Sequence, residues 1–426
     1  MWRRSSARLL SRVTVVSSFS RFWWGEAVSG MGTAITTLAL QTLVLVTLDG
    51  GPTEVGWLSS ARWMPYLVLG LVVGALVDRV RRRPVIVATD LARAALLASI
   101  PLAWSLDVLT LPLLLAVVVA FGVASLVNDA ASLSFVPRLV PSDRLQWAHA
   151  RLDGAGAVAQ TGGPALAGAL VRLVGAPLAV LVDAATYLFA AATTASLTRV
   201  EEPRGPVAER RPLIGEVVEG ARWAYGGSGL RRLALSTHVW FAGQTVLIVL
   251  VVPFAYLRLD LTALQVGLVL AVGGVGALVG ATTSTAVGRA VGTGGAVITS
   301  HAVSAVAVLV MVGAAALPDG WQAAVVLALG QLGHGWAMGV SNSHEMAFRQ
   351  SRTPDGLQAR TNTTLRSLNR AVIVVVSPVA GVAADRIGTG AVLASAAVAF
   401  GVAALMLAFS PFRHTRVYVD EAVPAP

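Results

Sequence analysis

Five ionisable residues stand in long apolar stretches, and two chemistries suit such groups: exchange of a proton and recognition of a charged solute. Glu26, Asp129 and Glu345 are the carboxylates, and Arg366 and Arg370 share one helix face at i and i+4. An ionisable group in hydrocarbon costs at least ~2.5 kcal/mol on insertion scales, so each must face a cavity, a partner or an interface. Two readings stay open for Glu26 and Asp129: they carry a proton, or they neutralise Arg366 or Arg370. Other polar residues have simpler expected roles. Asp90 and Arg93 lie three apart on one face and pair with each other or with the arginine-rich loop Gly74 to Pro84, while Asp153 with Arg151, and Asp183, sit near enough to an interface to be wet. Arg62 reaches the outer surface along its stem, and His334 and His344 are hydrogen-bonded helix contacts. Trp23 and Trp24 are expected as interfacial anchors, with Trp240 and Phe241 available for stacking.

The elements that must position these groups are membrane-spanning helices. Hydrophobic residues make up 55% of the chain and charged residues only 13%. About twelve apolar runs of roughly 20 residues each suffice to cross ~30 Å of hydrocarbon as a helix. They centre near Thr33, Leu67, Ala95, Val118, Ala159, Phe189, Thr245, Val272, Ala305, Leu329, Val372 and Val398. A strand barrel would alternate polar and apolar residues, and Leu111 to Ala120 does not.

The formal charge of +10 does not imply nucleic acid, because the arginines fall on one side of these runs. With a cytoplasmic N-terminus the inner segments hold most of them, including Arg79, Arg81, Arg82, Arg83, Arg138, Arg144, Arg199, Arg204, Arg210, Arg211, Arg231, Arg232, Arg289, Arg349 and Arg352, whereas the outer connections hold Arg172, Arg258 and Arg386. Both termini are therefore expected in the cytoplasm, with an even number of spans in the cell's inner membrane. The run from Phe19 to Leu48 is too long for a cleaved leader and reads as the first span.

Cysteine is absent, and every one of the 32 residues in the Lys+Arg count is arginine. That removes disulfides, a thiol nucleophile, a phosphate-loop lysine and a lysine Schiff base, so no cofactor or metal is expected and ATP-driven pumping by this chain is disfavoured. Gly226-Gly-Ser228-Gly229 fits a short serine pattern but falls in a polar segment, and no H-E-x-x-H is present. An enzyme is not expected.

The sequence also repeats itself. Val55-Gly56 returns as Val266-Gly267, Asp143-Arg144-Leu145-Gln146 as Asp355-Gly356-Leu357-Gln358, and Gly163-Pro164-Ala-Leu-Ala-Gly168 as Ser377-Pro378-Val-Ala-Gly381, each 211 to 214 residues on. Two parallel six-helix halves would give this spacing. The expected organisation is an N-terminal bundle over 1–200, a polar linker over 201–232 with an interfacial helix from Leu213 to Tyr225, and a C-terminal bundle over 233–426 with a short tail. A binding cavity is expected between the halves near the midplane.

Gly74 to Pro84, G-A-L-V-D-R-V-R-R-R-P, joins two apolar runs with one carboxylate and four arginines. It closely resembles the signature loop between the second and third helices of the major facilitator superfamily, matched by Gly74, Leu76, Asp78, Arg79, Arg82 and Arg83, with Arg81 where many members carry glycine. Further stretches, Asp90-Leu-Ala-Arg93, Asp129 to Leu145, Ala150-Arg-Leu-Asp153, Arg349-Gln350, Asp355 to Arg360, Asn362-Thr-Thr-Leu-Arg366 and Ser377-Pro378, are similar to the macrolide-efflux and enterobactin-exporter branch, the drug:proton antiporters of the third type. Gly163, Pro164 and Gly168 resemble the antiporter motif of exporting members, with Ala159 and Ala167 in place of glycines.

The resemblance implies an all-α membrane protein with twelve helices in two pseudo-symmetric bundles, and a signature loop that gates the movement between inward- and outward-open states. It also implies that the first, fourth, seventh and tenth helices line the cavity. The expected function is proton-coupled export of a lipophilic or amphipathic small molecule such as a drug, antibiotic or siderophore-like metabolite. The expected partners are that small molecule, protons and membrane lipids, with no nucleic acid, and the chain is expected to act as a monomer. A lipid or lysophospholipid flippase and a non-transporting sensor are the alternatives.

Overall fold

The computed structural model describes residues 2–77, 79–197, 213–226, 229–318 and 320–417. Thirteen α-helices follow one another in these residues, and no strand occurs among them. They are α1 (Trp2–Thr42), α2 (Pro52–Val68), α3 (Gly70–Val77), α4 (Arg82–Ser105), α5 (Leu111–Leu139), α6 (Leu145–Val174), α7 (Ala176–Ala195), α8 (Leu213–Tyr225), α9 (Arg231–Pro253), α10 (Ala263–Gly313), α11 (Trp321–Arg352), α12 (Asp355–Ile387) and α13 (Thr389–Ala408).

Twelve spans result, because α2 and α3 form one interrupted span and α10 forms two, bent where Gly292 takes φ 77°. That positive φ is cheap only for glycine. Among the described residues nine helices are long and apolar enough to cross a membrane on length and composition. Val68, Leu133, Val158, Val375 and Val398 are each 62–66% exposed, which is the expected state of side chains that lipid rather than protein covers. The chain is a multi-pass membrane protein.

The internal repeat extends into backbone detail. Both α1 and α9 run into a five-residue π-helical turn, Leu43–Thr47 and Phe254–Arg258, and each turn ends at an aspartate of positive φ, Asp49 and Asp260. Asp tolerates the left-handed region better than most residues. Gly175 and Gly388, before α7 and α13, repeat a third feature at φ 82° and 92°.

The chain divides into two compact units, Met1–Arg210 with Leu261–Ala271, and Arg211–Asp260 with Val272–Pro426. In the first, α1 packs on α6 and α7, and α4 on α5 and α7. Its core at the arginine-rich end gathers Phe19, Phe22, Ile86, Phe135 and Leu139. In the second, α9 packs on α12 and α13. There α10 and α11 approach closely through G-x-x-x-G pairs: a Cβ on Gly276 or Gly280 would strike the α11 backbone at Leu332 or Trp336, and one on Gly335 or Gly339 the α10 backbone at Gly273 or Ala277. Small residues are what let two membrane helices touch backbone to backbone.

The linker helix is α8, with the bounds expected of it. It is docked rather than free at an interface. Thr364 Oγ1 of α12 donates to the Val217 carbonyl at 3.3 Å, and Arg360 Nη1 to Glu219 Oε2 at 2.6 Å. Gly220 leaves room for the Arg360 carbonyl. Burial pushes the Tyr225 phenol above its ordinary value, keeping the hydroxyl that meets His238 Nε2.

Candidate functional site

The first unit holds a connected set of polar side chains in its interior. Asp90 and Arg93, 2% and 8% exposed, form the expected i,i+3 ion pair on α4. Asn128 of α5 donates to Asp90 Oδ1 at 3.1 Å and to Thr89 Oγ1 at 2.8 Å, and its own Oδ1 accepts from Ser132 at 3.4 Å. Ser132 also lies 3.4 Å from Glu26 Oε1, which brings α1 into the set. Glu26, half-buried, interacts electrostatically with Arg93, Asp90 and Asp129. The Arg93 guanidinium lies 4.2 Å over the ring of Tyr187, whose hydroxyl is 2.7 Å from Thr33 Oγ1. Asp129 accepts from Tyr66 Oη at 2.7 Å.

One sequence expectation changes here. Asp183 is not wet: its residue exposure is 0%, Thr186 donates to its Oδ1 at 2.9 Å, and Oδ2 has no hydrogen-bond partner among the described residues. The cause is Gly32, whose missing side chain lets the α1 backbone close over the carboxyl group. Arg62 of α2 donates to Thr37 Oγ1 of α1 at 2.9 Å.

The second unit carries a counterpart built on α9, α10 and α11. Glu345 Oε1 accepts from Ser341 at 2.7 Å, Thr237 Oγ1 lies 3.2 Å from Oε2, and His301 Nε2 is 3.5 Å from Oε1. The Trp240 indole lies between two imidazoles, 6.3 Å from His301 at 27° and 6.4 Å from His334 at 16°. His334 Nε2 meets Gln244 Oε1 at 2.8 Å, and His344 Nε2 donates to the Ser284 carbonyl at 3.0 Å, so both are helix contacts as expected. Glu26, Asp90 and Ser132 correspond to His238, His301 and Glu345 at separations of 212, 211 and 213 residues. Each unit therefore carries polar groups at matching positions of the repeat, with acid and partner exchanged between helices. His301 was not legible as a site residue, because one histidine in an apolar run carries no spacing signal; the repeat offset from Asp90 is the clue that finds it.

The remaining candidates are placed as follows. Arg366 is exposed and Arg370 half-buried on α12. Asp78 lies outside the described residues, as do Arg199, Arg204, Arg210, Arg211 and Ser228. Around it Gly74 and Arg79 have open surroundings, whereas Arg82 donates to the Val80 carbonyl at 2.9 Å and approaches Ser134 Oγ of α5 at 3.4 Å. Arg83 donates to the carbonyls of Thr194 and Ala195 at the C-terminus of α7, where a cation suits both the open carbonyls and the helix dipole. Gly163 accommodates Ala34 of α1, and Gly168 faces the Ala263 carbonyl and the Cα of Gly267. Trp24 is 54% exposed, and Trp23 donates from Nε1 to the Arg151 carbonyl at 2.9 Å.

A sequence model described as Major Facilitator Superfamily matches residues 22–372. Over 201 residues the chain is 29% identical to y4rN, an uncharacterized MFS-type transporter of Sinorhizobium fredii, with 47% of this chain and 49% of that protein covered. Over 160 residues it is 27% identical to Rv0037c, an uncharacterized MFS-type transporter of Mycobacterium tuberculosis, with 37% and 36% covered. The chain spans about half the length of the first of these relatives and about a third of the second. Among solved structures, a bacterial homologue of the iron transporter ferroportin in an inward-facing state superposes with a TM-score of 0.71 at 15% identity, covering 93% of this chain and 99% of that one. The nucleoside transporter NupG gives 0.70 at 14%, covering 92% and 98%. A bacterial homologue of the lysosomal transporter Spinster, inward-facing and unoccupied, gives 0.66 at 13%, covering 94% and 96%. At these identities the likeness is one of fold.

Proposed function

Because the chain belongs to the major facilitator superfamily, a family of membrane transporters and not of enzymes, we propose that it is a proton-coupled exporter of a lipophilic or amphipathic small molecule, working by alternating access as in the macrolide-efflux and enterobactin-exporter branch. The observation that carries the coupling is the sharing of Arg93. Two carboxylates, Glu26 and Asp90, act on this one guanidinium in the interior of the first unit. Fully ionised, those three groups hold a net negative charge, and one proton brings them to neutrality. In a membrane interior, neutrality is worth several kcal/mol.

Asp90 is committed to Arg93 and Asn128, whereas Glu26 has one long bond, to Ser132, and is the more accessible of the two. Glu26 is therefore the exchanging carboxyl, and Asp90 holds Arg93 in place. Asp129, bonded to Tyr66, stands in electrostatic reach of Glu26, so its charge biases the same equilibrium. Export draws on the proton gradient when Glu26 takes up its proton in the outward-open conformation that releases substrate and loses it in the inward-open conformation that binds substrate. The signature loop sets the balance between conformations through Asp78, with Arg82 and Arg83 tying the loop to α5 and α7. The expected membrane is the inner membrane, with both termini in the cytoplasm and the chain acting as a monomer.

The test uses the purified chain in proteoliposomes under an imposed pH gradient and no ATP, with a panel of fluorescent amphipathic compounds. The reading predicts concentrative movement of at least one compound, abolished by a protonophore. Movement that requires ATP and ignores the protonophore refutes it.

A further inference from the structure

We infer that His301 and Glu345 form a second proton-binding site, buried in the second unit and roofed by Trp240. Both ring nitrogens of His301 are buried without a hydrogen-bond partner among the described residues, and the residue is 0% exposed. Leaving a buried imidazole unbonded costs on the order of 1–3 kcal/mol per orphaned group, so such a residue is uncommon unless a second state satisfies it. The second state is in view. Nε2 already lies 3.5 Å from Glu345 Oε1, and an approach of about 0.6 Å reaches the usual length of a charge-assisted bond.

The proton balance is simple. With His301 neutral, the pair holds the single negative charge of the Glu345 carboxylate. When Nε2 takes a proton from water, the imidazolium and carboxylate together are neutral and share one N–H···O bond. When the proton leaves, the carboxylate falls back on Ser341, which donates to Oε1 at 2.7 Å. Thr237 offers a variable contact, since its hydroxyl is 2.9 Å from the Leu233 carbonyl and 3.2 Å from Glu345 Oε2, and one proton cannot serve both. The bound proton is thus a property of the pair.

Other titratable groups surround the pair without replacing either member. Arg349, one turn along α11, acts electrostatically on Glu345. His334 lies across Trp240 and is held by Gln244. His238, beside Thr237 on α9, is engaged by Tyr225 and by Asn369 Oδ1 at 2.7 Å, and His344 by the Ser284 carbonyl. Phe400 of α13 stands against Trp240 and brings no charge. The site's part in transport rests on the reading above, but its binding of a proton does not.

The test reads the proton directly. A cation forming beside an indole alters its emission, so the full-length protein in lipid nanodiscs should show a reversible pH-dependent component of tryptophan fluorescence that Trp240→Phe removes. His301→Gln should abolish that component, and Glu345→Gln should displace its midpoint, while His334→Gln leaves it in place. If His301→Gln misfolds, Glu345→Gln in an otherwise native chain still decides, because an unmoved midpoint overturns the pairing. Persistence of the full component in folded His301→Gln, or its loss in His334→Gln, likewise overturns the proposal. None of these readings involves transport, so a failure here is distinct from a failure of proton-coupled export.

Discussion

Removing the carboxylates that share Arg93 should be strongly non-additive. Asp90→Asn keeps the shape of the side chain and a carbonyl oxygen for Arg93 and Asn128, and it leaves Glu26 as the counter-charge; the loss is one charge-assisted interaction, roughly 1.5–3 kcal/mol when buried. Glu26→Gln leaves Asp90 and Arg93 as a neutral pair and removes only one long bond, so a change below about 1 kcal/mol is expected. The double variant is different in kind. Arg93, 8% exposed, would keep the Tyr187 ring at 4.2 Å but no anion from either position, and an uncompensated buried charge costs about 3–5 kcal/mol beyond a matched pair. The double variant should therefore exceed the sum of the singles, by an amount within the ~0.5–3 kcal/mol seen for residues in one network. At about 2–4 °C per kcal/mol for a unit of this size, the singles lower the melting midpoint by a few degrees and the double by ~10 °C or more. Thermal unfolding in a single detergent, followed by tryptophan emission and by recovery of monodisperse protein, measures this. A double variant equal to the sum of its parts would mean that Glu26 does not act on Arg93, and the charge-sharing argument would fail.

Other expectations are simpler. Gly335→Ala should destabilise by about 1–3 kcal/mol, because its Cβ meets the Gly273 carbonyl of α10, whereas Gly401→Ala, with open space around it, should be neutral or stabilise by up to ~1 kcal/mol; the same unfolding assay compares them. Glu219→Gln should change stability by less than about 0.5 kcal/mol, since the Glu219–Arg360 pair is 41% and 26% exposed, while Gly220→Leu should release α8 and raise proteolysis within it. Asp78→Asn should leave expression intact and shift the balance of conformations, read as changed labelling of single cysteines introduced on the arginine-rich side; unchanged labelling and unchanged transport would count against the gating role.

How much of this was legible in the sequence differs between backbone and site. Apolar run length, glycine and proline placement and the 211–214 residue repeat carry the fold, because in lipid a backbone must bond to itself and few architectures remain. The Asp90–Arg93 pair was legible for the same local reason, a spacing of three on one helix. Asp183 was not: its burial depends on Gly32 of a helix some 150 residues away, and nothing near Asp183 reports that. Glu26 was visible as a buried acid, but its link to Arg93 runs through Asn128 and Ser132 of α5, a helix-to-helix register that no single segment encodes. The facing G-x-x-x-G pairs of α10 and α11 were present in the letters and gained meaning only when the two helices were seen to meet.

The central claim is that Glu26 exchanges the proton that drives export. Glu26→Gln imitates the protonated carboxyl, so in proteoliposomes it should still bind and exchange a transported amphipathic compound across the membrane, yet fail to concentrate it under an imposed pH gradient. Gradient-driven accumulation by Glu26→Gln at the wild-type rate would contradict the account.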